Sequence, residues 1–415
     1  MVLPPPPDAG TPPPPVDGGA PPPPPPPDAG APVALGPAQV FVPLSTPVTF
    51  DRTVTAAQRR ITVAPPAMPA STVGVVGSLT FETASTETLD LHLEPAGSVM
   101  TVGPLQSHVH CFMVQLDAAG AFTIDVPGTA TGTLRFALTA ALVPEAAGGQ
   151  YVHLLDQPVR WLATSPNDDG FREIWTRLSE TLRYEIVGAA QGATAMLGAV
   201  HVGPHVWRDE RITLNLGGAA WASVPVDGHF PWRYSSFFLA PASSSQQLDV
   251  TASWASGIDD DGLEPWVDAV GYLSPSASLV YRPLPTARVA TVQQDNNSPV
   301  QLSTGLSGVS GVFGTLTFDL PHWPYDERNR WFFVHVGADE STFPGALGGG
   351  LEGPDWMTAG LNQNGRVTVR FVSRVTPSGT FVMRHHSYVA GGSSEAASYH
   401  RLTVQVRIEG ALAPK

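Results

Sequence analysis

The chain has 415 residues, a formal net charge of −14 and 14% charged residues. A polypeptide this acidic carries the same sign as nucleic acid and anionic membranes, which argues against either as its main partner. The single cysteine, Cys111, excludes an intrachain disulfide and a Cys-based zinc site, and no apolar run approaches the roughly 18 residues a membrane helix needs.

Residues 3 to 30 read LPPPPDAGTPPPPVDGGAPPPPPPPDAG, with fifteen prolines between Pro4 and Pro27. Proline fixes φ and lacks a backbone donor, so these blocks enter neither a helix nor a central strand. They are expected in extended polyproline II, where such a stretch reaches roughly 80 Å. No large side chain other than proline's is present to bury between Val16 and Val33, so residues 1–37 are expected to form a disordered tether. The rod fits a spacer or a ligand for proline-reading domains. Its Asp-Ala-Gly repeats offer no Arg or Lys to orient a docked groove, which favours the spacer. The stretch resembles the linkers that follow the lipidated cysteine in surface lipoproteins of high-GC Gram-negative bacteria. That resemblance implies an extracellular or cell-envelope location at the outer surface. A mature lipoprotein would begin with Cys, whereas this sequence begins Met1-Val2. No charged n-region or apolar h-region precedes the rod, so an export signal is expected to have been removed or never to have existed. Of the 22 basic residues only Lys415 is a lysine, which we read as codon bias in a GC-rich genome.

Behind the tether, the same strand signals recur three times. VGSLTFE (76–82), LGAVHVG (197–203) and FGTLTFD (313–319) alternate behind Gly77, Gly198 and Gly314, which lie 121 and 116 residues apart. LDLHL (89–93), ITLNL (212–216) and FFVHV (332–336) follow, each before a glycine-bearing turn. Pro-Val is expected to open a strand at Pro47, Pro158 and Pro299, and TLRFALTAAL (133–142), QLDVTASW (247–254) and HRLTVQVRI (400–408) to close each unit. The expected class is therefore all-β. Three tandem antiparallel β-sandwich or jelly-roll-like modules, at 38–145, 146–284 and 285–415, would follow the tether. Phe171, Ile174, Trp175, Leu178 and Leu182 have helical spacing behind Asn167-Asp168-Asp169, which predicts one short helix in the middle module.

PHVWRDER (204–211) and PHWPYDER (321–328) agree at five of eight positions, 117 residues apart, whereas the first module has TASTET (83–88) there. As binding loops they offer His205, Trp207 and Asp209, and His322, Trp323, Tyr325 and Asp326, to a polar ligand. As structure they are a solvated turn with His and Trp plugging the sandwich end. GHFPWRYSSFF (228–238) places Trp232 and Tyr234 on one strand face, where aromatic rings stack on sugars or fill a core. GIDDDGLEPW (257–266) gathers Asp259, Asp261 and Glu264 around glycine, which fits either an acidic surface turn or structural calcium, although the EF-hand pattern is missing. SHVHC (107–111) puts His108 and His110 on one strand face without a third ligand. GLSGVSG (305–311) lacks the nucleophile spacing, and no zinc-protease, Walker or dinucleotide motif occurs.

The strand pairs GVFGTLTFDLPHW (311–323) and GSLTFETASTETLDLHLEPAG (77–97) are similar to those of β-sandwich accessory modules in bacterial secreted proteins. The resemblance implies a non-catalytic, surface-displayed binding protein with no resident cofactor beyond structural calcium. Its expected partner is an extracellular glycan or an envelope protein. The alternative is a structural protein that associates with itself in a surface layer, fibre or capsid-like shell. A third reading is a hydrolase or metal-dependent enzyme on the same scaffold.

Overall fold

The computed structural model describes residues 33–85, 89–95, 98–102, 109–161, 181–185, 192–205, 210–216, 219–226, 234–242, 247–254, 262–295, 298–320, 330–339, 357–359, 365–389 and 401–415. Among them the chain is all-β, with antiparallel pairing and one 3₁₀ turn, Glu145–Ala147. The predicted helix falls outside the described residues except at Leu182, which lies in a strand. Residues 1–32 of the expected tether also fall outside. Its last residues, however, dock on the body. Val33 and Leu35 pack against the core, and the Gly36 amide donates to the Pro283 carbonyl at 2.8 Å. Apolar residues resume here, so residues 33–37, expected in the tether, pack with the body instead.

The first eight strands are β1 (Gln39–Val54), β2 (Arg60–Val63), β3 (Gly74–Thr83), β4 (Leu89–Glu94), β5 (Ser98–Val102), β6 (Val109–Gln115), β7 (Phe122–Asp125) and β8 (Gly132–Pro144). The next eight are β9 (Tyr151–Trp161), β10 (Thr181–Glu185), β11 (Ala195–His205), β12 (Glu210–Leu216), β13 (Ala219–Val226), β14 (Tyr234–Pro241), β15 (Gln247–Trp254) and β16 (Gly262–Ser274). The last are β17 (Leu279–Asp295), β18 (Val300–Ser303), β19 (Gly311–Leu320), β20 (Arg330–Gly337), β21 (Met357–Ala359), β22 (Gly365–Arg374), β23 (Thr380–Val389) and β24 (Arg401–Pro414). The first eight pair as β1-β8-β3-β6 and β2-β7-β4-β5, and the same order returns at an offset of eight strands, twice. Two antiparallel sheets exchanging strands in this order are jelly-roll-like. The expected division at 284/285 falls inside β17. The counterpart of β8 and β24 in the second set is β16, not the predicted 247–254, which is β15 in the opposite sheet.

A β-bulge explains the spaced glycines. Thr139 in β8 is passed over by both neighbours, since Ala140 pairs with Val76 and Pro43 while Leu138 pairs with Gly77 and Val48. Val270 in β16 and Glu409 in β24 occupy the same position. The extra residue pushes the partner strand close, and a Cβ at Gly77 or Gly314 would collide with the carbonyl of Ala137 or Arg407. The bulge also reverses the faces of β8. Leu134, Phe136 and Leu138 enter the core inside the first pair of sheets, whereas Ala140 and Leu142 enter a larger core reaching the other two sets. Pro47-Val48 and Pro158-Val159 sit where β1 and β9 rejoin the ladder after the bulge, inside strands rather than at their starts; only Pro299-Val300 opens one.

This bulge aligns the three sets and reveals how they meet. Counted from it, Phe41, Val152 and Tyr281 are equivalent, as are Gln39, Gln150 and Leu279. The cross-links are Tyr281 to Gln39, Val152 to Leu279, and Phe41 to Gln150. Each joins the first kind of position to the second kind in another set, and the three links close a circle. Around this hub β22 packs on β5, β13 on β6 and β14 on β21, so edge strands cover one another.

Candidate functional site

Each set of strands has two ends. Gln39, Leu279 and Pro414 lie at the hub, so the N-terminal approach and Lys415 meet the body there. In the second set the hub end is Tyr151 opposite Ser274, with Ala195 opposite Leu273. The remote end is His205 opposite Gly262.

Three of the predicted site residues have their backbone described at that remote end. His205 closes β11, Tyr234 opens β14 opposite Val202, and Glu264 lies in β16 opposite Gly203. β14, β11 and β16 are neighbours in that order, so the structure brings the backbones of three separately predicted segments to one margin. Trp207 and Asp209 lie between β11 and β12, Trp232 between β13 and β14, and Asp259 and Asp261 between β15 and β16, all outside the described residues. His322, Trp323, Tyr325 and Asp326 also lie outside, in the matching connection after Leu320 of β19. The repeated His-to-Arg motif thus occupies equivalent connections. No group of three or more His, Cys, Asp or Glu is placed to hold a metal among the described residues. Calcium at 259–264 remains an expectation of the sequence.

The sequence reading missed a buried polar junction beside the hub. Thr315 of β19 pairs with Arg370, and its equivalents pair with Cys111 and Phe237, so these three positions correspond in the three sets. Arg370 donates through Nη1 to Glu409 Oε2 at 2.8 Å and through Nε to the Cys111 carbonyl at 2.9 Å. Both side chains of the ion pair are 3% exposed. Glu409 is the bulge residue of β24, and Arg407 Nε lies 3.6 Å from its Oε1. Burial works against the Arg370 charge and is the largest single influence on it, but the charge and hydrogen bond of Glu409 together with Cys111 and Tyr281 outweigh it, and the guanidinium sits above its usual value. Burial pushes the Cys111 thiol up to about 12, with Arg370 pulling the other way and Glu409 adding to the rise. Tyr281 is likewise raised, by burial first and Glu409 second. His110 is drawn down to about 4 by burial, against a hydrogen bond with the Thr101 backbone that raises it, while Arg370 lowers it further. An arginine inside TVRFV, a run buried from both sides, was the one signal in the sequence for this junction.

A second polar line runs outward from it. Thr368 Oγ1 lies 2.7 Å from Thr101 Oγ1 and 2.9 Å from Thr317 Oγ1, and Thr101 donates to Asp90 at 2.8 Å. Arg366 then bridges Asp90 at 2.6 Å and Asp319 at 3.1 Å. These groups position strands, and none is arranged as a nucleophile with its base.

No family model matches the chain, and no curated protein matches it in sequence. Among solved structures it is weakly similar to a chain from the atomic structure of Sulfolobus Turreted Icosahedral Virus, with 9% identity and a TM-score of 0.17 over 91% of this chain and 98% of that one. A chain from work on the triple jelly roll fold and turret assembly in an archaeal virus gives 9% identity and a TM-score of 0.18 over 90% and 91%. Dimeric latent PorU from Porphyromonas gingivalis gives 10% and 0.22, over 92% of this chain and 33% of that one. The jelly-roll-like description of this chain rests on its own strand order.

Proposed function

We propose that the chain is a non-catalytic display protein of the cell envelope. Three tandem jelly-roll modules, β1–β8, β9–β16 and β17–β24, form a rigid body at the end of a proline-rich spacer. The body offers its strand ends remote from the hub to an extracellular ligand, with a polysaccharide as the first choice. The observation that carries this reading is the gathering of His205, Tyr234 and Glu264 on adjacent strands at the end away from the hub. A spacer entering at the hub leaves that end open to a large partner. The aromatic residues of the neighbouring connections, Trp207 and Trp232, suit stacking against sugar rings, and Asp209 and Glu264 suit their hydroxyls. The matching connection with His322, Trp323, Tyr325 and Asp326 would give a second site of the same kind.

The test is depletion of residues 33–415 from solution by a panel of insoluble polysaccharides and envelope preparations. Selective depletion, lost in Trp232→Ala or Trp323→Ala with the fold intact, is the expected result. Absence of depletion across the panel would overturn the glycan reading. The cyclic packing of the sheets favours a second reading, a purely structural body that assembles with itself. Concentration-dependent assembly without depletion would support that one.

A further inference from the structure

The circle of three contacts has one link of a different kind. The first set of strands is joined to the second through residues 145–150, and the second to the third through 275–278. No segment joins the third back to the first. That closure rests on contacts between residues far apart in sequence: the Tyr281 to Gln39 bridge, the Gly36 and Pro283 backbone pair, the Phe41 ring beside those of Tyr281 and Phe313 in the shared core, Thr368 against Thr101, Arg366 on Asp90, and Arg370 on the Cys111 carbonyl.

The polar margin of the seam suits a contact that parts, while the shared apolar core holds it closed in the single chain. Arg366 and Asp90 keep 47% and 25% of their side-chain surface in water, so their ion pair is already half solvated. Thr101, Thr317 and Thr368 present hydroxyls that water satisfies as well as they satisfy each other. The Arg370–Glu409 pair stays together on the third set and regains hydration when uncovered. The contact is heterologous, with different surfaces meeting. If it opens within one chain, each surface fits its complement on a second chain equally well. Closure within the chain wins only through its high effective concentration.

We propose that the β22 seam on β4, β5 and β6 is a clasp, and that its opening, followed by release of β21 and β22 from β14 and of Leu279 from Val152, lets two copies of this chain exchange strands β17–β24 about residues 275–278. Cys111, the only thiol, reports on the clasp. It is 4% exposed and belongs to the core shared between the sets, not to the one enclosed by β1–β8. Its thiol is unreactive while the seam is closed and becomes accessible when β22 lifts away.

The experiment uses the full chain and measures the alkylation rate of Cys111 with a maleimide, together with mass by light scattering over a range of concentrations. Arg366→Asp faces Asp90 and Asp319 with a like charge, which is expected to raise the rate at least tenfold. It should also produce a dimer that grows with concentration. Adding Asp90→Arg restores an opposite-charge pair and should return both readings toward the parent. Thr368→Val, a change of one hydroxyl, should give a smaller shift in the same direction. Unchanged labelling and a monomer in both single variants would overturn the proposal. So would labelling that rises only in step with loss of the β-sheet signal, since that is global unfolding. A failure of Asp90→Arg to restore Arg366→Asp would equally count against it.

Discussion

A buried ion pair shows its energetics when it is broken by halves. Arg370 and Glu409 have almost no contact with water, and Arg370 also satisfies the Cys111 carbonyl. Glu409→Leu leaves a guanidinium without its counter-charge, and the expected loss is about 3–5 kcal/mol. The double change Arg370→Met with Glu409→Leu removes both charges and should recover most of it. About 1–3 kcal/mol should remain, because the Cys111 carbonyl is left without a partner. Denaturant midpoints of Arg370→Met, Glu409→Leu and the double variant measure this, and a double variant as unstable as the sum of its parts would refute the pairing. His110 supplies a pH dependence of known sign. Its pKa falls from 6.5 to about 4 on folding, mainly through burial. Between those values the unfolded chain binds a proton that the folded chain does not, so stability is full above 6.5 and is lost as pH falls through about 4. The size is on the order of 3 kcal/mol. Midpoints compared at pH 7 and pH 4 should therefore drop more in the parent than in His110→Leu.

At the level of elements, the bulge decides which face a strand presents, and Gly314 is where it is least forgiving. A methyl group there meets the Arg407 carbonyl and the ring of Phe371, both fixed by packing from two sides. Gly314→Ala should cost about 1–3 kcal/mol, read as a lowered thermal midpoint; no shift would mean that β24 approaches less closely than described. The strands of the outer sheets were legible because their burial alternates locally, as in Leu89, Leu91 and Leu93 around the exposed His92. The inner strands were found but their environment was not, since β3 is buried from Gly74 to Phe81 on both faces. β16 was missed as the closing strand because its start, Gly262–Pro265, reads as the tail of an acidic turn, whereas 247–254 alternates cleanly. The spacing of the candidate loops was visible in the repeated motif, and their shared margin followed only from strand order. The Arg366–Asp90 contact spans 276 residues, and nothing local in either segment signals the other.

For the whole molecule, the circle of equivalent contacts makes a demand that no pair of elements could make. If the three sets are related by a pseudo-threefold arrangement, the positions of the chain breaks are incidental and the cyclic order is not. The amide of Glu145 donates to the Ala38 carbonyl at 3.1 Å, and that of Lys415 to the Ser278 carbonyl at 3.0 Å. The exits of the first and third sets are thus alike. A connection as short as 145–150 or 275–278 should then suffice to lead from Lys415 to β1. We expect a permuted chain that starts at Ala277, runs through β24, is joined to β1 by such a link and ends at Ser276 to fold with Cys111 still protected. Its thermal midpoint should lie within several degrees of the parent, as circular permutation at an exposed turn is commonly tolerated. A chain with the first and second sets exchanged keeps every strand but reverses the circle, setting Cys111 and Phe237 against the wrong neighbours. Rapid alkylation of Cys111 in the exchanged chain and protection in the permuted one would establish the cyclic order. Equal behaviour of the two would mean that the sets fold and stand independently, with the hub contributing little.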